Sequence, residues 1–153
     1  MMTDIRTILL AEDNANDVEL TIEALTANRL ANDIVVTRDG AEALDYLYRR
    51  NAHGGRVGGN PALVLLDLKM PKVDGLEVLR QIRADPALRT IPVVMLTSSR
   101  EEQDVVRSYN LGVNAYVVKP VEFLGFVDAV KSLGGFWAVV NEPPPVVGGR
   151  ARG

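Results

Sequence analysis

The sequence has no cysteine, which removes disulfide frameworks and thiolate chemistry together. It has no basic excess: 17 Lys and Arg stand against 20 Asp and Glu, a net charge of −3. A surface for a phosphate backbone needs the opposite sign, so no nucleic-acid partner is expected. No stretch approaches the roughly 18 apolar residues that span a bilayer. Met1-Met2-Thr3-Asp4 opens without the apolar run of a secretory signal. No membrane association is expected, and the expected compartment is the cytoplasm. What is present suits one soluble fold: 153 residues, 47% hydrophobic and 24% charged, fill a single core and leave no room for a second module.

Short apolar runs recur along the chain: Ile8-Leu9-Leu10-Ala11, Ile34-Val35-Val36, Leu63-Val64-Leu65-Leu66, Val93-Val94-Met95-Leu96 and Tyr116-Val117-Val118. They are rich in β-branched residues and lack polar alternation, as expected of parallel strands covered on both faces. Between them lie stripes at helical spacing, Val18, Ile22 and Leu25 with Ala24, then Leu76, Leu79 and Ile82. Five βα units in alternation predict an α/β fold, a doubly wound five-stranded parallel sheet with helices on both faces. Residues 51–61 (NAHGGRVGGNP) read as a flexible loop before the third strand. After Asn141 the Pro- and Gly-rich EPPPVVGGRARG has too little apolar sequence to pack. The expected organisation is a folded domain over 1–140 and a flexible tail over 141–153.

The polar residues that end these runs all fall at the same end of their strands: Glu12-Asp13, Asp67, Thr97-Ser98 and Lys119-Pro120. In a parallel sheet these are the carboxyl ends, where open α/β sheets bind ligands at the point of strand-order reversal. With the order 2-1-3-4-5, Asp13 and Asp67 lie on adjacent strands about 5 Å apart. Carboxylates that close repel, and a raised pKa or a bound cation relieves them. Magnesium, which takes one or two carboxylates, waters and phosphoryl oxygens, fits an oxygen-only cluster. Lys119 adds a compact cation for a phosphoryl oxygen, and Thr97 adds a hydroxyl donor. Together they describe phosphoryl transfer to a carboxylate. A strand-end Asp or Thr alone is more often a helix cap or turn residue. The specificity lies in the set.

Glu12-Asp13, Leu65-Leu66-Asp67-Leu68-Lys69-Met70-Pro71 with Asp74-Gly75, Leu96-Thr97-Ser98 and Ala115-Tyr116-Val117-Val118-Lys119-Pro120 resemble the response-regulator receiver family over about residues 6–137. The resemblance implies a flavodoxin-like (βα)5 receiver of a two-component phosphorelay, similar to the chemotaxis regulators. It implies that Asp67 is the phosphoacceptor, and that Asp13, Asp67 and the Lys69 backbone carbonyl bind Mg2+ with Glu12 helping through water. Thr97 would bond the phosphoryl group and Lys119 pair with it, while Thr97 and Tyr116 form the switch. The bond before Pro120 is usually cis in such proteins. Lys69, two residues after the acceptor, departs from the smaller side chains common there and bears on phosphoryl lifetime. It also argues against a haloacid-dehalogenase-type hydrolase, which carries a second Asp at that place. A pseudo-receiver would have lost part of the set, and a flavin-binding sheet would not place Glu12-Asp13-Asn14 where a phosphate must sit.

No output domain follows the fifth unit, so the expected output is a protein contact with a downstream target, and no enzymatic activity is expected. His53, the lone histidine, sits in the Gly-rich insertion with no nucleotide-binding motif near it and reads as a surface residue. Phe136, Trp137, Val139 and Val140 extend the apolar stripe of the last helix and need a cover. The long insertion, the Phe-Trp pair and the Pro-rich end resemble stand-alone regulators paired with phytochrome-type kinases. That resemblance implies a cognate histidine kinase of the bacteriophytochrome kind, and a homodimer with those four residues at its interface.

Overall fold

The computed structural model describes residues 7–26 and 33–133. Five strands, β1 (Thr7–Ala11), β2 (Asp33–Thr37), β3 (Leu63–Asp67), β4 (Val93–Thr97) and β5 (Ala115–Val118), alternate with helices α1 (Ala15–Thr26), α2 (Gly40–Tyr48), α3 (Gly75–Ala84), α4 (Arg100–Ser108) and α5 (Phe123–Val130). The strands form one sheet in the order β2-β1-β3-β4-β5, and every neighbouring pair is parallel.

The continuous apolar runs follow from this arrangement. Successive side chains on a strand point to opposite faces, and both faces are cores. Leu9, Val64, Leu66, Val93 and Met95 pack with Leu47, Leu79, Ile82 and Val106 on one side. Ile8, Leu10, Leu65, Val94 and Leu96 pack with Val18, Leu25, Phe126 and Val130 on the other. β1, β3 and β4 are buried throughout. The edge strands depart from the expectation of full burial: β2 is mostly half-buried, and Val118 of β5 is exposed. A strand at a sheet edge has a neighbour on one side only, so its flanking helices cover it incompletely. The helical stripes are also adjusted. Thr21 is buried in α1 where Ile22 is only partly covered; its hydroxyl donates to the Asp17 carbonyl at 2.7 Å. In α3 Val78 joins Leu79 and Ile82 in full burial, and Leu76 is half-buried.

Helix starts are set by side-chain caps, whose oxygens satisfy free amides of the first turn. Asp39 accepts from Glu42 N–H, Asp74 from Glu77 N–H, and Ser99 from Glu102 N–H. Each of these helices begins just beyond a strand's carboxyl end and so fixes the loops that carry the polar residues.

The Gly-rich insertion is a largely exposed loop, as its composition predicts, and it carries hydrogen bonds of its own. A short 3-10 turn spans Asn51–His53. Arg49 donates to the carbonyls of Arg56 and Gly58; Arg56 donates to the carbonyls of Tyr46 and Gly59 and lies 4.1 Å from the Tyr46 ring centre. Asn60 reaches the Ala87 carbonyl at 2.8 Å, and His53 pairs with Glu42 at 3.1 Å. Two arginines with five donors each satisfy the carbonyls that glycines leave bare, a role that composition alone does not show.

Candidate phosphoacceptor site

The carboxyl ends of β1, β3 and β5 converge on a pocket of about 190 Å³ lined by Glu12, Asp13, Asn14, Asp17, Asp67, Lys69, Ser98, Glu102 and Lys119. Glu12 and Asp67 are 0% and 4% exposed, whereas Asp13 faces solvent. One carboxylate oxygen of each lies within 4.8 Å of the other two. The Lys119 ammonium is 3.0 Å from Asp67 Oδ1, 3.2 Å from Asp17 Oδ2 and 3.3 Å from Glu12 Oε1. The Lys119 backbone N–H donates to the Thr97 carbonyl at 2.8 Å, which ties it to the end of β4; the Lys119–Pro120 bond is cis.

Burial and the neighbouring Asp67 charge push the Glu12 carboxyl up from 4.5 to about 7, against the Asn14 amide and Lys119. Burial also raises Asp67, with the hydrogen bond and charge of Lys119 opposing it. Burial lowers the Lys119 pKa, but the hydrogen bond and charge of Asp67, with Glu12 and Asp17, outweigh it and hold the ammonium above its ordinary pKa. The site is therefore short of positive charge: Glu12, Asp17 and Asp67 share the Lys119 ammonium, and the Asp13 carboxylate stands beside them. A hard divalent ion bound by oxygen would complete it, and the donor set present fits such an ion.

Thr97 ends β4 one residue beyond Leu96, the strand partner of Asp67. It is fully buried, and its hydroxyl has no hydrogen-bond partner among the described residues. A buried hydroxyl left without a partner costs about 1–3 kcal/mol of desolvation. Thr97→Val, which keeps the volume, is expected to raise stability by about 1 kcal/mol; urea unfolding measures it, and a loss above about 1 kcal/mol would show the hydroxyl already satisfied. Tyr116 pairs with Met95, on the same sheet face as Thr97 and two residues behind it. The ring is partly buried with the Arg107 guanidinium 4.6 Å from its centre; burial raises the phenol pKa, and Arg107 opposes this.

The sequence profile of the response regulator receiver domain family matches residues 8–131. The chain belongs to the response-regulator receiver family. The receiver is 38% identical over 132 residues to Response regulator Rcp1 of Synechocystis sp., with 86% of this chain and 88% of that one covered; a solved structure of Rcp1 is its Mn(2+)-bound form, with a TM-score of 0.66, 36% identity and 89% of each chain covered. The solved bacteriophytochrome response regulator RtBRR superposes with a TM-score of 0.84 at 64% identity, over 92% of this chain and 84% of that one. The phosphorylated cyanobacterial phytochrome response regulator RcpA gives 0.69 at 41%, over 86% and 93%.

Of the residues expected at the site, the pocket of this receiver gathers Glu12, Asp13, Asp67, Lys69 and Lys119. Thr97 and Tyr116 lie along β4 and β5 behind it. Phe136, Trp137, Val139, Val140 and the tail 141–153 lie outside the described residues. Two pocket residues escaped the sequence reading. Asp17 stands four residues after Asp13, in the first turn of α1, which sets it beside the strand end. Glu102 is the fourth residue of a Ser-x-x-Glu pattern starting at Ser99, a capping-box signature. Lys69 pairs with Glu102 at 3.0 Å with most of its side chain in solvent. Glu102 is held below the usual carboxylate range by the Ser98 amide, with Lys69 adding to it. Among the described residues no helix is long and apolar enough to cross a membrane.

Proposed function

We propose that this receiver is a stand-alone phosphorelay switch that takes a phosphoryl group from a histidine kinase onto Asp67 and signals through protein contacts. The observation that carries it is a buried carboxylate on its lysine partner, beside an acidic pair and one residue row from a buried hydroxyl that has no partner. A carboxylate oxygen of Asp67 attacks phosphorus, the bond from phosphorus to the kinase imidazole nitrogen breaks, and an acyl phosphate results. The imidazole leaves as neutral histidine after gaining a proton. Lys119 stays within reach of the new phosphoryl oxygens and offsets their charge. Thr97 supplies the hydroxyl that the native state leaves unused.

Magnesium would be held by Asp13, Asp67 and the Lys69 carbonyl, with Glu12 acting through water. When bound it neutralises charge on the phosphoryl group during transfer. RtBRR and RcpA support a bacteriophytochrome-type kinase as donor, and the phosphorylated state of RcpA supports the acceptor chemistry. We read the chain as a cytoplasmic switch rather than an enzyme.

Phosphorylation adds charge-assisted bonds worth about 1.5–3 kcal/mol at Thr97, enough for a roughly ten- to hundredfold shift between two conformations that differ at Tyr116. With a phosphorylated bacteriophytochrome-type kinase as donor, wild type and Thr97→Val both take label, and only wild type changes its partner affinity. No transfer to wild type would defeat the proposal, and an unaltered response in Thr97→Val would defeat the coupling. The proposal extends to a homodimer through Phe136, Trp137, Val139 and Val140. Each fully covered aromatic or Leu-sized side chain contributes about 1.5–3 kcal/mol. Sedimentation at micromolar concentration is expected to give a dimer for wild type and a monomer for Trp137→Ala; a monomeric wild type, with or without phosphoryl donor, ends that part.

A further inference from the structure

Glu102 in the first turn of α4 divides its two carboxylate oxygens between two loops. Oε1 accepts the Ser98 amide at 2.8 Å, and Oε2 pairs with Lys69 Nζ at 3.0 Å. An ordinary capping box returns this carboxylate to the N-cap amide. Here the N-cap is Ser99, whose hydroxyl accepts the Glu102 amide at 3.1 Å, and the carboxylate reaches past it to Ser98. Ser98 follows Thr97 directly and Lys69 follows Asp67 by two residues, and both line the pocket with Glu102. The Glu102 side chain is only 17% exposed, against 79% for Lys69, so the carboxylate is the anchored partner and the lysine comes to it.

The donors that face a group on Asp67 are few. Lys119 already touches Asp67, and the Thr97 hydroxyl is buried with no partner among the described residues. The Ser98 amide and the Lys69 ammonium are both taken by Glu102. A phosphoryl group brings three acceptor oxygens and more negative charge than a carboxylate, and it competes for the same two donors. We propose that Glu102 is an internal competitor of the phosphoryl group, a carboxylate latch that ties the β3–α3 loop to the β4–α4 loop and must release Ser98 and Lys69 before the phosphorylated state is fully held. Linkage makes the effect reciprocal: whatever Glu102 costs the phosphoryl group, the phosphoryl group costs the Glu102 contacts. Phosphorylation thereby frees the first turn of α4, which places the signal on that helix. The inference also assigns a role to Lys69, whose cation is spent on Glu102 at rest and becomes available to the anion once the latch opens. It rests on the reading of Asp67 as acceptor.

The test is calorimetric titration of the full chain with beryllium trifluoride, a phosphoryl analogue, at saturating magnesium. Glu102→Gln keeps side-chain size and capping ability but loses the charge, so the fold is retained. Its affinity for the analogue is expected to rise about two- to tenfold, the range of a partly exposed ion pair and one charge-assisted amide bond. Lys69→Ala is expected to weaken binding more in the Glu102→Gln background than in wild type, because only there is the ammonium free to meet the anion. A capping role alone would move thermal stability and leave this coupling at zero. Equal or weaker binding by Glu102→Gln, or additive effects of the two substitutions, overturns the latch while leaving the acceptor reading intact. A wild type that binds no analogue overturns both, since the latch then has nothing to compete with.

Discussion

The metal-free protein is expected to lose about 3 kcal/mol of stability between pH 5 and pH 8, with most of the loss removed in Glu12→Gln. Glu12 is fully buried beside Asp67, and its pKa stands at about 7 rather than 4.5. A carboxyl whose folded-state pKa exceeds its unfolded value binds its proton more tightly in the native state. Its contribution is present in full below pH 4.5 and is lost as pH rises through about 7. At about 1.4 kcal/mol for each pH unit of displacement, the shift from 4.5 to about 7 is worth on the order of 3 kcal/mol. Asp67 is displaced in the same direction and adds to the slope. Lys119, raised rather than lowered, stays charged across this window and contributes no slope. Urea unfolding in chelator at the two pH values measures the effect, and millimolar magnesium is expected to flatten it by repaying the carboxylates at high pH. Parallel profiles for wild type and Glu12→Gln would show that the cluster is not under charge strain.

Gly75→Ala is expected to destabilise the fold by about 3 kcal/mol or more and to weaken magnesium binding with it. A Cβ at this first residue of α3 would stand 2.3 Å from the Asp67 carbonyl oxygen and 3.0 Å from Leu68 Cα. These are backbone atoms, so no rotamer change relieves the overlap, and overpacking of this kind costs about 1–3 kcal/mol even where side chains can yield. The approach is close because Gly75 N–H donates to the Leu68 carbonyl at 2.9 Å, which folds the connection back over the end of β3. Moving it displaces Asp67 itself. Gly55 is the matched control: nothing lies within 4 Å of its added Cβ, so Gly55→Ala is expected to change stability by no more than about 0.5 kcal/mol. Comparable losses in the two variants would rule out close approach as the reason for glycine at 75.

The central strands and most of the site were legible because they obey local rules. Uninterrupted apolar runs specify strands buried on both faces, and four polar residues after four such runs specify one sheet edge. The register then does the rest, since β1 and β3 are neighbours and Glu12, Asp13 and Asp67 follow from their ends. What escaped depends on side-chain reach across the fold. Asp17 looked like an ordinary acidic residue in the first turn of a helix, until α1 packed so that it met Lys119. Glu102 satisfied a capping signature, and only the path of the β3–α3 loop brings Lys69 to it. The Gly-rich insertion was legible as a loop, but not the way Arg49 at its edge and Arg56 within it bond its carbonyls. Edge burial also escaped, because the apolar pattern of β2 and β5 differs little from that of the central strands.

Everything proposed for this receiver depends on Asp67 accepting a phosphoryl group. Intact mass of the whole chain after incubation with acetyl phosphate and magnesium tests it most directly, with Asp67→Asn treated in parallel. One added phosphoryl group is expected on wild type, dependent on magnesium and absent from Asp67→Asn; an unmodified wild type, or an adduct that survives in Asp67→Asn, would overturn the assignment.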